Sequence, residues 1–215
     1  FFPLSKIINS IIYLLVILFY LNKKKFTINK NAFKIILLSG ILTSGLLFYA
    51  NINRPDAGLY HLPYISILNN EKIILGLSNL HFRFGHISII QYLSALNNNF
   101  LFNEIGVLIP LASLASIFIV YFHNEIFKFY KSEIKINENY FFCFFVLIYI
   151  FYKINRYSEF GNDAIAHIGY FYLISYFLKS NLQKFSFVQF NYIFLICVFL
   201  FMNKNTMIFS FLLPL

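Results

Sequence analysis

Charge is what this chain has least of. Only 12% of its 215 residues are Asp, Glu, Lys or Arg, about half the roughly 25% of an ordinary soluble domain. Apolar residues make up 60%, and the mean hydropathy is +0.71. So much Phe, Ile, Leu and Tyr cannot be wrapped around one soluble core with a wettable surface left over. Cysteine is equally scarce. Cys143 and Cys197 both lie inside apolar runs and no Cys-x-x-Cys occurs, so they read as reduced packing residues. Several catalytic signatures are missing too. There is no His-Glu-x-x-His, no Walker loop, no Gly-x-Ser-x-Gly and no Gly-x-Gly-x-x-Gly. Proteolysis, ATP hydrolysis and serine hydrolysis on those templates lose their support.

Acids are rarer than bases, and the formal net charge is +9. Nucleic acid is not the partner this implies. The basic excess falls in short intervals between apolar runs, where it orients helices, and no nucleic-acid-binding motif is present. Phe, Ile, Asn, Lys and Tyr are abundant together, as an AT-rich coding sequence produces. Individual Asn and Lys residues therefore carry little weight.

A bilayer core about 30 Å thick takes roughly 20 apolar residues of helix. Apolar runs over 4–21, 35–50, 105–122, 140–152, 164–178 and 187–202 predict six spans, with a truncated seventh after Asn203-Lys204-Asn205. The expected fold is all-α: a polytopic transmembrane helical bundle of about six spans plus the truncated seventh, forming a single domain over 1–215. Gly40 and Gly45 with Ser39 and Ser44 give the second run a small-residue face suited to close packing. Pro110 predicts a kink in the third. Lys23, Lys24, Lys25, Lys30 and Lys34 follow the first run with no acid among them, which marks that interval as cytoplasmic. By parity, the first long outer loop covers 51–104 and a second covers 153–163. The protein is then expected in a bacterial inner membrane, multi-pass, with its site loop outside. The chain starts with Phe1 and stops within an apolar run, so it reads as a fragment of a longer protein.

The loop 51–104 holds three of the five His and two of the three Arg. Pro55 fixes a turn before Asp56, and residues 57–69 predict a short surface helix. Asp56 either caps that helix or, at a lipid–water boundary, serves as general base for an acceptor hydroxyl. Tyr60 lies one turn on and His61 beside it, as interfacial anchors or as substrate contacts. Further along come His81, Arg83 and His86. Arg presents a fork of donors that suits phosphate oxygens, and His adds another; the plainer role for Arg83 is pairing with lipid headgroups. The second loop, Arg156-Tyr-Ser-Glu159-Phe-Gly-Asn-Asp163, leads to His167, four residues after Asp163 and on the same helical face. Asp163 also has the form of a helix cap. Glu159 and Asp163 together with Asp56 could hold a divalent cation, although no spacing requires one.

Two stretches carry a family resemblance: Pro55-Asp-Ala-Gly-Leu-Tyr-His-Leu-Pro63 and Gly76-Leu-Ser-Asn-Leu-His-Phe-Arg-Phe-Gly85. With an early Asp, a surface helix and a later Arg/His segment, the chain resembles the GT-C-type membrane glycosyltransferases, and more closely a bacterial multi-pass subgroup of unproven function. The resemblance implies an inverting enzyme that takes a sugar from a polyprenyl-phosphate carrier and passes it to an acceptor. Asp56 matches the essential acid of the first loop, and His81 and Arg83 loosely match the phosphate-binding part. Tyr60, His61, His86, Glu159, Asp163 and His167 complete the candidate substrate contacts. Ala57 stands where many protein-mannosylating relatives carry a second acid. Two other functions fit the same features: a surface-polysaccharide polymerase or ligase, and a non-catalytic transporter or flippase.

Overall fold

The computed structural model describes residues 3–22, 29–50, 55–72, 74–85, 88–131, 137–179 and 186–213, and every regular element among them is helical. In chain order these are α1 (Lys6–Leu21), α2 (Lys30–Ala50), a π-helical turn (Ala57–His61), α3 (Leu62–Asn70), α4 (Leu77–Leu80), a 3-10 turn (Phe82–Gly85) and α5 (Ile89–Asn97). A 3-10 segment (Asn103–Leu108) then leads into α6 (Ile109–Lys131). After it come α7 (Glu138–Lys153), a 3-10 turn (Ile154–Glu159), α8 (Asp163–Lys179), α9 (Phe187–Asn203) and a last 3-10 segment (Asn205–Leu212).

Helix α6 is the hub, packing on α2, α5, α7 and α8, while α8 packs in turn on α9. Its sequence explains this. Ala112, Ala115 and Ser116 are fully or almost fully buried on one stripe, so neighbouring helices approach closely, and Ser116 satisfies its hydroxyl on the Ala112 carbonyl at 2.7 Å. Larger side chains fill the space around that stripe. Leu42 and Leu46 come from α2, Val146 and Ile150 from α7, and Ile165 and Ile168 from α8.

Polar staples fix the two ends. Near the N-terminus the Asn9 amide donates to the carbonyls of Leu4, Ala95 and Asn98, and Asn69 donates to Leu4 and Ala95. These buried bonds tie α1, α3 and α5 into one block. At the far end of α6, the buried carboxylate of Glu125 takes Lys128 at 2.6 Å and Lys179 at 3.1 Å. Beside it Ser175 donates to Asn139 at 2.7 Å, joining α8 to α7. A buried acid without such cations would be costly. Cys143 and Cys197 are both free and buried.

The six-to-seven-span bundle is not what the structure shows. Among the described residues, two helical stretches are long and apolar enough to cross a membrane: Lys30–Phe48 and Asn103–Phe129. The other expected spans form α1 and α7 with 16 residues each and α8 and α9 with 17 each. At 1.5 Å per residue these reach about 24–26 Å, short of a hydrocarbon core of about 30 Å. The expected seventh is eight residues of 3-10 helix. Helix α8 also carries a buried face, with Ile165, Ile168 and Leu173 fully enclosed by protein. Two local expectations change as well. A Cβ on Gly40 or Gly45 would meet nothing within 4 Å, so α2 meets α6 through Leu42, Leu46 and a Ser39–Ser113 hydrogen bond of 2.9 Å instead. Pro110 sits in the first turn of α6, at its junction with the 3-10 segment, where its missing N–H costs α6 no α-helical bond.

One glycine is fixed by crowding. A Cβ on Gly106 would lie 2.0 Å from the backbone oxygen of Asn97 and 2.9 Å from the Phe102 Cβ. We expect Gly106→Ala to destabilise the protein by about 1–3 kcal/mol, since backbone has to move. Gly40→Ala, built into open space, should be stabilising by up to about 1 kcal/mol through helix propensity. Thermal unfolding followed by circular dichroism distinguishes the two.

Candidate active site

The charged residues that α2 and α8 bring to one end of the bundle enclose a two-lobed cavity. One lobe, of about 180 Å³, is lined by Asp56, Tyr60, His61, Tyr149, Lys153, Arg156, Gly161, Asp163, Ala164 and His167. The other, of about 340 Å³, is lined by Asp56, Tyr60, His61, Arg83, Gln91, Asn162, Asp163 and Lys204. Asp56, Tyr60, His61 and Asp163 line both lobes and form the wall between them.

That wall begins with the π-helical turn. Pro63 has no N–H to give the Leu59 carbonyl, so the turn before it is not held at α pitch. The Leu62 N–H bonds to the carbonyl of Ala57, five residues back. Tyr60 and His61, consecutive in sequence, both lie on this turn and both line the cavity. Asp56 has helical backbone angles and makes no side-chain cap bond, so its plainer role as a helix cap falls away. Its carboxylate instead accepts from Arg83 Nη1 at 3.0 Å. The Arg83 guanidinium also lies over the Tyr60 ring, 4.5 Å from the centroid, a cation–π distance. Burial and the Asp56 charge both push the Tyr60 phenol up, so it remains protonated.

His81 sits behind this pair. Its ring stacks on Tyr60 with centroids 6.2 Å apart, and its Nδ1 accepts the Arg83 backbone N–H at 3.3 Å. It lines neither lobe. It shapes the turn that carries Arg83, a role different from the direct contact expected of it. His86 lies outside the described residues, as does the Glu159 side chain.

His61 is buried, clasped from both sides. The Gln91 amide nitrogen of α5 lies 2.8 Å from Nδ1. An amide NH₂ can only donate, so Nδ1 accepts and the neutral ring keeps its proton on Nε2. On the other side Gly161 comes so near that a Cβ there would lie 2.9 Å from Nε2. Burial is the main cause that pushes the His61 pKa down to about 4, with Arg83 adding to it and Asp56 and Asp163 opposing.

From the second loop, Asp163 and His167 both reach the cavity, one turn apart on α8. Asp163 is taken by Lys204 at 2.8 Å. Among the described residues no three of His, Cys, Asp and Glu gather as a metal-holding group. The two acids of the cavity each face a cation, Asp56 on Arg83 and Asp163 on Lys204.

Several lining residues were not among the sequence candidates. Gln91 gave no signal, because its partner His61 is 30 residues away. Lys204 lies on a short turn in a chain where single Lys residues carry little weight. Lys153 and Arg156 flank the second loop, and the cluster of charge there was the available sign.

The fold and cavity define an all-helical protein with a charged site at one end of its bundle. The chain belongs to the DUF8201 family, described as a domain of unknown function, which it matches over residues 1–215. No curated protein and no solved structure matches it.

The clasp on His61 has a pH signature. With the pKa lowered from 6.5 to about 4, the unfolded chain binds a proton in this window that the folded chain does not. Stability contributed by the neutral ring is complete above pH 6.5 and is lost as pH falls toward 4. The thermal midpoint should drop over that interval, and His61→Gln should flatten the drop. An unchanged pH slope in the variant would show that the loss belongs to other groups, among them His167, whose pKa burial also lowers.

Proposed function

We propose that the chain is a membrane glycosyltransferase that moves a sugar from a polyprenyl-phosphate carrier to an acceptor at one membrane face, with inversion. The observation that carries this is the contact between the Asp56 carboxylate and the Arg83 guanidinium on the wall of a cavity that also holds Lys153, Arg156 and Lys204. Among the described residues four cations line it with two acids, and His61 is neutral. The balance favours an anionic ligand held beside a carboxylate.

A second observation supports a lipid-linked anion. Arg83 faces the polar cavity, whereas its neighbour Phe84 lines a mostly apolar groove of about 400 Å³ with Tyr64, Leu68, Leu77 and Tyr92, which Glu71 and Lys72 also border. One turn thus serves two environments, as an amphiphile with an anionic head and an apolar tail requires. Two helical stretches long and apolar enough to cross a membrane agree with a substrate that stays in lipid.

The chemistry follows from these groups. The acceptor hydroxyl oxygen attacks the anomeric carbon from the face opposite the carrier. Its proton passes to Asp56. The bond from the anomeric carbon to the phosphate oxygen breaks, and the carrier leaves as its phosphate. A guanidinium offers five donors, so Arg83 can grip the phosphate as the bridging negative charge develops. Binding of the phosphate competes with Asp56 for Arg83 and so frees the carboxylate to act as base. Gln91 and Gly161 hold His61, and through the same π-helical turn they hold Tyr60 and Asp56 in place.

Two substitutions test the assignment. Asp56→Asn keeps the size of the side chain and should abolish sugar transfer in membranes while the protein still inserts. Arg83→Lys keeps the charge but loses the planar fork. Transfer at limiting carrier lipid should then fall about ten- to a hundredfold, as loss of one charge-assisted contact does. Full activity of Asp56→Asn would end this reading. Equal activity of the Arg and Lys forms would reduce Arg83 to a general anchor.

A further inference from the structure

One turn of the chain holds three large apolar side chains mostly in the open, although the Phe82 ring also stacks on His81 with centroids 5.1 Å apart. Leu75 is 91% exposed, Leu80 79% and Phe82 71%. All three lie on or next to α4 and the 3-10 turn after it, within eight residues of one another. Leu75 is the most exposed large apolar residue among those described.

The inner side of the same turn is tightly held. Arg83 bonds Asp56 at 3.0 Å, and Phe84 stacks on Tyr64 with centroids 6.0 Å apart. Gly76, at φ +82°, makes the sharp entry that an L side chain would strain, and the Asn79 N–H closes the turn on the Gly76 carbonyl at 2.9 Å. A loose loop could fold Leu75 or Phe82 back onto the protein. This one is anchored on its inner side, and Leu75, Leu80 and Phe82 stay mostly exposed.

Helix α2 sets the height of the turn. Its apolar stretch Lys30–Phe48 has 19 residues, mostly exposed, and spans about 28 Å, close to the hydrocarbon thickness. Asp56 follows Phe48 by eight residues and holds Arg83. The turn therefore lies where α2 would leave the lipid. Exposed Glu71 and Lys72 stand at its base, a polar pair that suits the headgroup layer.

We propose that Leu75, Leu80 and Phe82 form a wedge that enters the headgroup layer of a lipid bilayer beside the cavity. The inference rests on α2 lying in that bilayer, as the function above requires. The wedge would set Arg83 at the level of a lipid-borne phosphate. An anionic lipid head could then reach the cavity without its tail leaving the membrane.

The chain contains no Trp, so a single introduced Trp reports its own surroundings without background. Leu80→Trp, Phe82→Trp and, as a reference in the middle of α2, Ile41→Trp are made in the full chain. Each is reconstituted in vesicles of phosphatidylcholine and phosphatidylglycerol. Some vesicles carry bromine near the headgroup end of the acyl chain, others near its middle; iodide is the aqueous quencher. The expected result is an emission loss of about twofold at 80 and 82 with the shallow bromine and little effect of iodide, as for a ring about 5–10 Å deep. Ile41→Trp should respond to the deep bromine. If 41 is quenched by bromine while 80 and 82 are quenched only by iodide, the wedge is overturned and the membrane reading stands. If bromine quenches none of the three, both fall together.

Discussion

The contact between Asp56 and Arg83 is the closure on which the site depends. The two residues are 27 positions apart, and their 3.0 Å bond brings the start of the π-helical turn against the 3-10 turn that ends the same loop. As a half-exposed ion pair it adds little to stability. Its importance is geometric. With it in place, Tyr60 faces the guanidinium, His81 stacks behind Tyr60, and Phe84 is turned away into its groove. Charge is rare in this chain, yet four of its 17 basic and two of its eight acidic residues line one cavity. Solubility does not require such a gathering; the anion site proposed above would use it.

The scaffold explains how two distant loops come to share that cavity. Helix α6 fixes α2 on one side and α7 and α8 on the other. The C-terminal end of α2 and the N-terminal end of α8 then lie at the same end of the bundle. Gly161 closes the remaining distance: lacking a side chain, it lets the second loop touch the His61 ring. The two loops meet on a neutral imidazole, which adds no charge to a cavity that already holds six charged side chains.

How much of this is legible in the sequence depends on the range of each signal. Asp56, Arg83, Asp163 and His167 stand out because ionisable residues between apolar runs are few. The short helix expected over 57–69 follows from Pro55 and Asp56, and the chain is helical over 57–70. Gln91 and Lys204 could not be found this way, since each matters only through a partner that folding brings near. The number of spans was misjudged for a different reason. Phe, Ile, Leu and Tyr fill nearly every helix, so hydropathy alone does not separate a face that meets lipid from one that meets protein. Helices α1, α7, α8 and α9 stop at 16 or 17 residues, and Ile165, Ile168 and Leu173 of α8 are enclosed by other helices.

The π-helical turn is where local sequence and site chemistry meet most directly. Tyr60 and His61 are consecutive, so their side chains leave the helix axis about 80–100° apart. Tyr60 reaches Arg83, while His61 faces Gln91 and Gly161. The cause of the wider winding is the absent N–H of Pro63, a feature of the sequence that is silent until the chain is wound. Irregular winding of this kind persists where the side chains it presents are needed. Here it presents one aromatic ring to a cation and one imidazole to the seam between two loops.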